Sequence, residues 1–136
     1  MKVYDGKDKV MGRLATQIAK DLLNGEEVRV VNAEKVVILG DRDMIFSKYK
    51  TNRERGKQMR GPFYPRRPER IFKRAVRGML PYQQPKGRAA FKRLRAYIGV
   101  PKEFKDSEII NPDVKEFHGK KGVTLAEVSS YLGAKF

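Results

Sequence analysis

The sequence predicts an α/β fold, and three patterns carry that prediction. A strand-length run at Lys2–Asp5 leads into a helical apolar period after Gly12. β-Branched runs of strand length follow at Val28–Val31 and Val36–Leu39. A second helical stripe, Ile71 to Leu80, precedes an alternating stretch that ends at Gly99. Strand, helix and strand in succession are the usual opening of an α/β order.

Lys2–Asp5 reads as a short strand entering a polar turn at Gly6–Lys9. Leu14, Ala15, Ile18, Ala19, Leu22 and Leu23 then recur at helical spacing, with Arg13, Gln17, Lys20 and Asp21 elsewhere on the wheel. That helix ends at Asn24-Gly25, where glycine tolerates a left-handed backbone. Only Asn32–Lys35 separates the next two strands. A parallel crossover takes about a dozen residues or more, so local geometry favours a hairpin or an irregular corner there.

Met44, Ile45, Phe46 and Tyr49 suggest one helical face, before Arg53–Arg60 dissolves into charge. Asp41 and Asp43, placed after Gly40, read as a turn with a helix cap rather than a carboxylate pair. Pro62, Pro65 and Pro68 exclude regular structure from 61–68, because each removes a backbone donor and disfavours helix just before it. Pro68 then opens a helix with Ile71, Phe72, Ala75, Val76, Met79 and Leu80 on one stripe, and Pro81 stops it. Arg70, Lys73, Arg74 and Arg77 project away from that stripe. After a turn at Tyr82–Gly87, Ala89, Ala90 and Phe91 repeat the motif among Arg88, Lys92 and Arg93, and Leu94, Ala96 and Ile98 alternate as a last strand. The stripe, with Phe91 and Leu94, is expected to anchor this stretch to the core. Residues 100–123 are polar and loop-rich, and Leu125, Val128, Tyr131 and Leu132 form a short closing helix capped by Thr124.

A chain of 136 residues suits one domain, 1–136, with a basic region at 48–95 and a C-terminal extension at 100–136. Hydrophobic content of 40% and charged content of 35% leave a surplus of charge that a core does not explain. Its distribution is informative. Residues 1–47 hold 8 basic and 8 acidic residues and residues 96–136 hold 6 and 6, whereas 48–95 holds 17 and 2, which is the whole net charge of +15. A compact state repels itself at that density unless a polyanion neutralises it, so the expected partner carries many phosphates. Cysteine is absent, which fits a reducing cytosol, and the apolar runs fall well short of the roughly 20 residues of a membrane helix. The expectation is an intracellular, soluble protein without a membrane partner.

The candidate RNA-binding residues are the cations of this region: Lys48, Lys50, Arg53, Arg55, Lys57, Arg60, Arg66, Arg67, Arg70, Lys73, Arg74, Arg77, Lys86, Arg88, Lys92, Arg93 and Arg95. Phe63 and Tyr64 join them as rings able to stack on unpaired bases, and Tyr82 lies among cations in the same way. An ordinary solvated helix interleaves acids for pairing at i,i+4, yet between Glu69 and Glu103 there is none. Arginine exceeds lysine 11 to 6 within 48–95, which favours bidentate phosphate contacts and stacking.

Two other readings use different segments. Gly119-Lys-Lys-Gly122 has the form of the backbone-clamping loop of KH modules, although the element order of that fold is not apparent around it. The Gly6–Gly12 turn before a helix would suit a nucleotide-dependent enzyme, but it matches neither phosphate-loop pattern, and Arg13-Leu14 stands where Lys-Ser/Thr is required. A lone His118 and no cysteine serve zinc ligation or a Ser-His-Asp system badly. No catalytic residue, cofactor, metal or small-molecule substrate is expected.

Longer motifs are more specific. Arg66-Arg-Pro-Glu-Arg-Ile-Phe72, Ala75-Val-Arg-Gly-Met-Leu-Pro81 and Gly87-Arg-Ala-Ala-Phe-Lys-Arg-Leu-Arg-Ala-Tyr-Ile-Gly99 closely resemble the signature of the universal ribosomal large-subunit protein thirteen family. Gly12-Arg-Leu-Ala-Thr16 and Val31-Asn-Ala-Glu-Lys-Val36 match its amino-terminal half, so the likeness covers roughly 2–99. The Arg60-Gly-Pro-Phe-Tyr64 segment looks like the archaeal and eukaryotic branch. The resemblance implies a three-layer α/β/α domain around a small, mainly parallel four-stranded sheet with basic loop and helix extensions. It also implies a non-enzymatic, cytoplasmic component of the large subunit that binds large-subunit ribosomal RNA beside neighbouring ribosomal proteins.

Overall fold

A computed structural model describes residues 2–54, 65–104, 109–110 and 122–134. Strand β1 (Lys2–Asp5), helix α1 (Met11–Leu23) and strand β2 (Val28–Val31) open the chain as the periodicity predicts. Strand β3 (Val37–Leu39), helix α2 (Arg42–Glu54), helix α3 (Pro68–Arg77), helix α4 (Pro85–Lys92) and strand β4 (Leu94–Ala96) follow. Strand β5 (Gly122–Thr124) and helix α5 (Leu125–Tyr131) close it.

Strands β1, β2 and β4 form a parallel sheet with β2 in the middle, paired Lys2↔Val28 to Asp5↔Val31 on one side and Val28↔Leu94 to Val30↔Ala96 on the other. A central strand is covered on both faces, which is why β2 is almost wholly apolar. Neighbouring residues point to opposite faces of the sheet. Tyr4, Val28, Val30 and Leu94 meet Leu14, Ile18 and Leu22 of α1, Ile71, Phe72 and Val76 of α3, and Leu125 and Val128 of α5. On the other face Val3 and Val31 meet Phe104, with Tyr97, Val100 and Ile109 partly buried against them. Phe104 belongs to a 3-10 helix, Lys102–Phe104, so the second covering layer is thinner than the first.

The α/β class and the layered order are as expected; the strand arrangement is not. A parallel three-stranded sheet stands beside a separate antiparallel pair, β3 with β5, in place of one four-stranded sheet. The hairpin expected over 28–39 is also absent, since β3 pairs with β5 and not with β2. Asn32 takes a left-handed backbone with φ 56° and is followed by a 3-10 turn at Ala33–Lys35, which swings the chain out of the first sheet. The corner alternative is therefore the observed one.

Capping follows the sequence closely. Gly25 ends α1 with φ +92°. Asp41 Oδ1 accepts from the amides of Asp43 at 2.8 Å and Met44 at 3.4 Å. Thr124 and Glu127 form a reciprocal capping box at the start of α5. Inside the core, the Tyr4 hydroxyl donates to Asp21 Oδ2 at 2.5 Å and Lys2 Nζ donates to Asp21 Oδ1 at 3.3 Å. Burial, and then the hydrogen bond and charge of Asp21, push the Tyr4 hydroxyl up to about 12.

The stripe of the second helix is mostly where it was expected. Ile71, Phe72, Val76, Leu80 and Leu94 are buried, and Ala75 and Phe91 are half-buried. Met79 is a correction: it is 43% exposed and touches Thr16, whose hydroxyl donates to its sulfur at 3.5 Å. Regular helix ends at Arg77, so the helical spacing that grouped Met79 with the stripe no longer applies beyond it.

Candidate nucleic-acid interface

Helix α3 is held by its apolar side and presents its cations on the other. Pro68 stands at its first turn, where a missing N–H costs nothing. Glu69, also in that turn, suits the positive end of the helix and accepts from Arg67 Nε at 2.6 Å. That one carboxylate is thus already engaged. Beyond it, Arg70 is exposed and Lys73, Arg74 and Arg77 are half-buried against α3's own surroundings.

The fold brings further cations to this helix. Burial lowers the Lys73 ammonium below the ordinary lysine range, and the charges of Arg95 and Arg70 lower it further. Arg95 reaches α3 because β4 packs against that helix. Like charges set together beside a partly desolvated ammonium form a site that an anion would relieve. The aromatic part lies alongside. Tyr82 and Phe91 meet edge to face, with centroids 5.7 Å apart and planes at 88°. The Arg77 guanidinium lies 4.0 Å from the Tyr82 centroid and Lys73 Nζ lies 5.1 Å from that of Phe91.

Other candidate residues are more scattered. Lys48 and Lys50 are exposed on α2, and Arg66 and Arg67 on the approach to α3. Lys86, Arg88 and Lys92 are exposed on α4, where Arg88 Nη2 donates to the carbonyl of Gln83 at 3.0 Å. Arg93 is turned inward: its Nη2 donates to the carbonyl of Leu22 at 2.7 Å, at the end of α1 where carbonyls lack helical partners. Its own carbonyl accepts from Arg29 Nη1 at 2.9 Å. Arg93 therefore serves the fold. Arg55, Lys57, Arg60, Phe63 and Tyr64 lie outside the described residues, as do His118 and Gly119–Lys121; of Arg53 only the backbone, in α2, is described.

Tyr82 is the functional candidate that charge counting undervalues. Its signal in the sequence was a ring among cations next to Pro81, but its engagement with Arg77 depends on how the turn after α3 folds back. Arg42 forms a comparable contact elsewhere, 4.9 Å from the ring of Phe46, which stacks on Tyr131.

The first part of the Gly6–Gly12 turn is tied into the fold. The amide of Gly6 donates to the Val31 carbonyl at 2.9 Å, that of Lys7 to the Asp5 carboxylate at 3.0 Å, that of Asp8 to the Lys35 carbonyl at 3.1 Å and that of Lys9 to the Gly6 carbonyl at 3.2 Å. A Cβ on Gly6 would stand 2.7 Å from Val36 Cγ2, so this glycine permits close packing against the 32–36 corner. Among the described residues no cluster of His, Asp and Glu is placed to hold a metal ion. None of the described helices is long and apolar enough to cross a membrane.

Comparison with known proteins agrees with the signature read along the chain. Residues 1–103 match the family model described as ribosomal protein L13. The large ribosomal subunit protein uL13 of Archaeoglobus fulgidus is 53% identical over 135 residues, covering 96% of this chain and 86% of that protein. Proteins of the same name from Methanosarcina barkeri and Methanocaldococcus jannaschii are 47% and 46% identical over 140 aligned positions, each covering both chains in full. Through this match, which spans most of its length, the chain belongs to the ribosomal protein L13 family.

Proposed function

We propose that this chain is a structural constituent of the large ribosomal subunit, located in the cytoplasm, that binds and stabilises folded large-subunit RNA during assembly. The observation that carries this reading is the outward face of α3, which bears Arg70, Lys73, Arg74 and Arg77 and where the charges of Arg70 and Arg95 act on Lys73. Phosphates of crowded RNA would occupy that face, and the guanidinium groups would fix register through paired hydrogen bonds. The remaining exposed cations of 48–95 extend the contact, and the near-neutral parts on either side form the support. The whole chain, 1–136, acts in this reading as one domain. Neighbouring ribosomal proteins meet its other surfaces, and no small-molecule substrate enters the account.

Affinity for a large-subunit RNA fragment should then fall on the order of 10³-fold between 50 and 200 mM salt, if about six or more phosphates are engaged. A filter-binding or anisotropy series across that range measures it. A flat response would remove the electrostatic basis of the reading. Calorimetry with ATP, GTP and NAD addresses the competing enzyme reading, for which heat of binding at the Gly6–Gly12 turn would be required.

A further inference from the structure

The cleft between α3 and the turn that follows it is built differently from the rest of the basic surface. Arg70, Lys73, Arg74 and Arg77 line it together with Tyr82 and Phe91, around a volume of about 270 Å³. No carboxylate is among its described lining residues. We propose that this cleft seats a single unstacked nucleotide of the bound RNA, its base against the Arg77–Tyr82 stack and its phosphate drawn to Arg70 and Lys73. The inference rests on the RNA-binding reading and goes further, because it names the conformation of RNA that is recognised.

Two features favour an unpaired base over a regular helix. Phosphates along a duplex require only cations, whereas rings and flat guanidinium groups gain from contact with the faces of bases. Paired bases hide those faces in their own stack. Here the guanidinium of Arg77 is already held 4.0 Å from the Tyr82 centroid, so it offers a fixed plane instead of a mobile charge. The second feature is rigidity. The amide of Tyr82 donates to Leu80 at 2.8 Å and that of Gln84 to Pro81 at 2.9 Å, which closes the turn. At Gly87 a Cβ would stand 1.9 Å from the Pro81 carbonyl oxygen, so α4 is pressed directly onto the turn, and Phe91 comes with it. A site fixed before binding loses little freedom when the ligand arrives.

The plainer account is that Tyr82 and Phe91 only pack the stems of Arg77 and Lys73. The two accounts separate in a binding experiment with the full chain and two probes: a fully paired RNA duplex, and the same duplex carrying one bulged 2-aminopurine. The bulged RNA should bind roughly tenfold tighter, with quenching of the 2-aminopurine on binding, as stacking of one base predicts. Tyr82→Leu should bring the bulged RNA down to the affinity of the paired one and leave the paired one unchanged. Arg77→Lys, which keeps the charge but loses the flat plane, should abolish the preference for the bulge whatever it does to the affinity for paired RNA, and carries the test if Tyr82→Leu does not fold. Equal affinity of the native protein for both RNAs, with steep salt dependence, overturns the nucleotide seat and leaves the RNA reading intact. A bulge preference that survives Arg77→Lys also overturns it. Salt-independent or absent binding of both probes overturns the RNA reading and the seat together.

Discussion

Helices α1 and α3 face the same core and differ almost entirely on their outer sides. Leu14, Ile18 and Leu22 of α1 and Ile71, Phe72 and Val76 of α3 are fully buried in one cluster. On α1 the one acid, buried Asp21, is matched by Lys2 and by the Tyr4 hydroxyl, and the outer side carries only the charges of Arg13 and Lys20, both exposed and seven residues apart. On α3 the acid of the first turn is engaged by Arg67, and Arg70, Lys73, Arg74 and Arg77 follow it with no second acid in the helix's sequence. On the proposed reading one helix is finished as folded, and the other is finished by bound RNA. The lesson is that stability and RNA affinity should reside in separable residues of α3.

The largest effects test the equivalence of the inner sides. Phe72→Ala should cost about 3–5 kcal/mol and Leu14→Ala about 2–5 kcal/mol in urea unfolding, since both leave cavities in the same cluster. Met79→Ala, at an exposed position, should stay within about 0.5 kcal/mol. If Phe72→Ala were as mild as Met79→Ala, α3 would be a loosely attached arm, and the likeness to α1 would fail.

The outer sides should differ sharply. Replacing Arg70, Arg74 and Arg77 together by Ala should weaken binding to a large-subunit RNA fragment on the order of 10²-fold near 0.1 M salt and lower the salt slope by about 2–3. The double replacement Arg13→Ala and Lys20→Ala on α1 removes comparable exposed charge and should change neither by more than about twofold. Both variants should melt close to the native protein. Equal losses from the two helices would mean that net charge alone matters, not the face that α3 presents.

Most of this contrast was readable before any coordinates, because it is local. A period of 3.6 marks the inner residues of both helices, Asn24-Gly25 and Thr124 mark boundaries, and the acid-free run from Glu69 to Glu103 marks the cationic side. What escaped depends on distant partners. The 28–39 segment offers a hairpin in isolation, and only β5, more than eighty residues later in the chain, gives β3 another strand to pair with. Arg93 is indistinguishable from Arg95 in sequence, yet one turns inward to the end of α1 while the other stays exposed on β4. Met79 shares the stripe's spacing but lies past the last regular turn. The contact of Arg77 with Tyr82 needs the turn at Pro81 to fold back, which no periodicity reports.

The compensated charges of α1 give a smaller, pH-dependent signature. Tyr4→Phe deletes the hydroxyl bond to Asp21 and leaves that buried carboxylate to Lys2, at a cost of about 1–3 kcal/mol near neutral pH. The sign at high pH follows from the raised Tyr4 value. With a folded-state value of about 12 against the ordinary 10.0, its contribution is complete below pH 10 and is lost as pH rises from 10 to 12. Unfolding free energies measured across that window should converge for native and Tyr4→Phe protein. Parallel curves would show that the hydroxyl is not held in its protonated form by the fold.

The smallest effect is the most direct measure of the uncompensated side. Lys73 lies below the ordinary lysine range because burial, Arg95 and Arg70 all disfavour its charge. Between that lowered value and the ordinary one the folded chain binds fewer protons than the unfolded chain, so on account of Lys73 alone stability rises with pH across the window. An RNA phosphate reverses the balance by favouring the charged form. Its contribution to binding is therefore complete below the lowered value and fades as pH rises from there through the higher value of the complex. NMR titration of the Lys73 side chain should show a low midpoint in the free protein, a partial recovery in Arg95→Ala, where burial and Arg70 still act, and a larger rise when RNA is bound. A midpoint in the ordinary range in the free protein would mean that water already screens this face, and α3 would then resemble α1 on its outer side as well as its inner one.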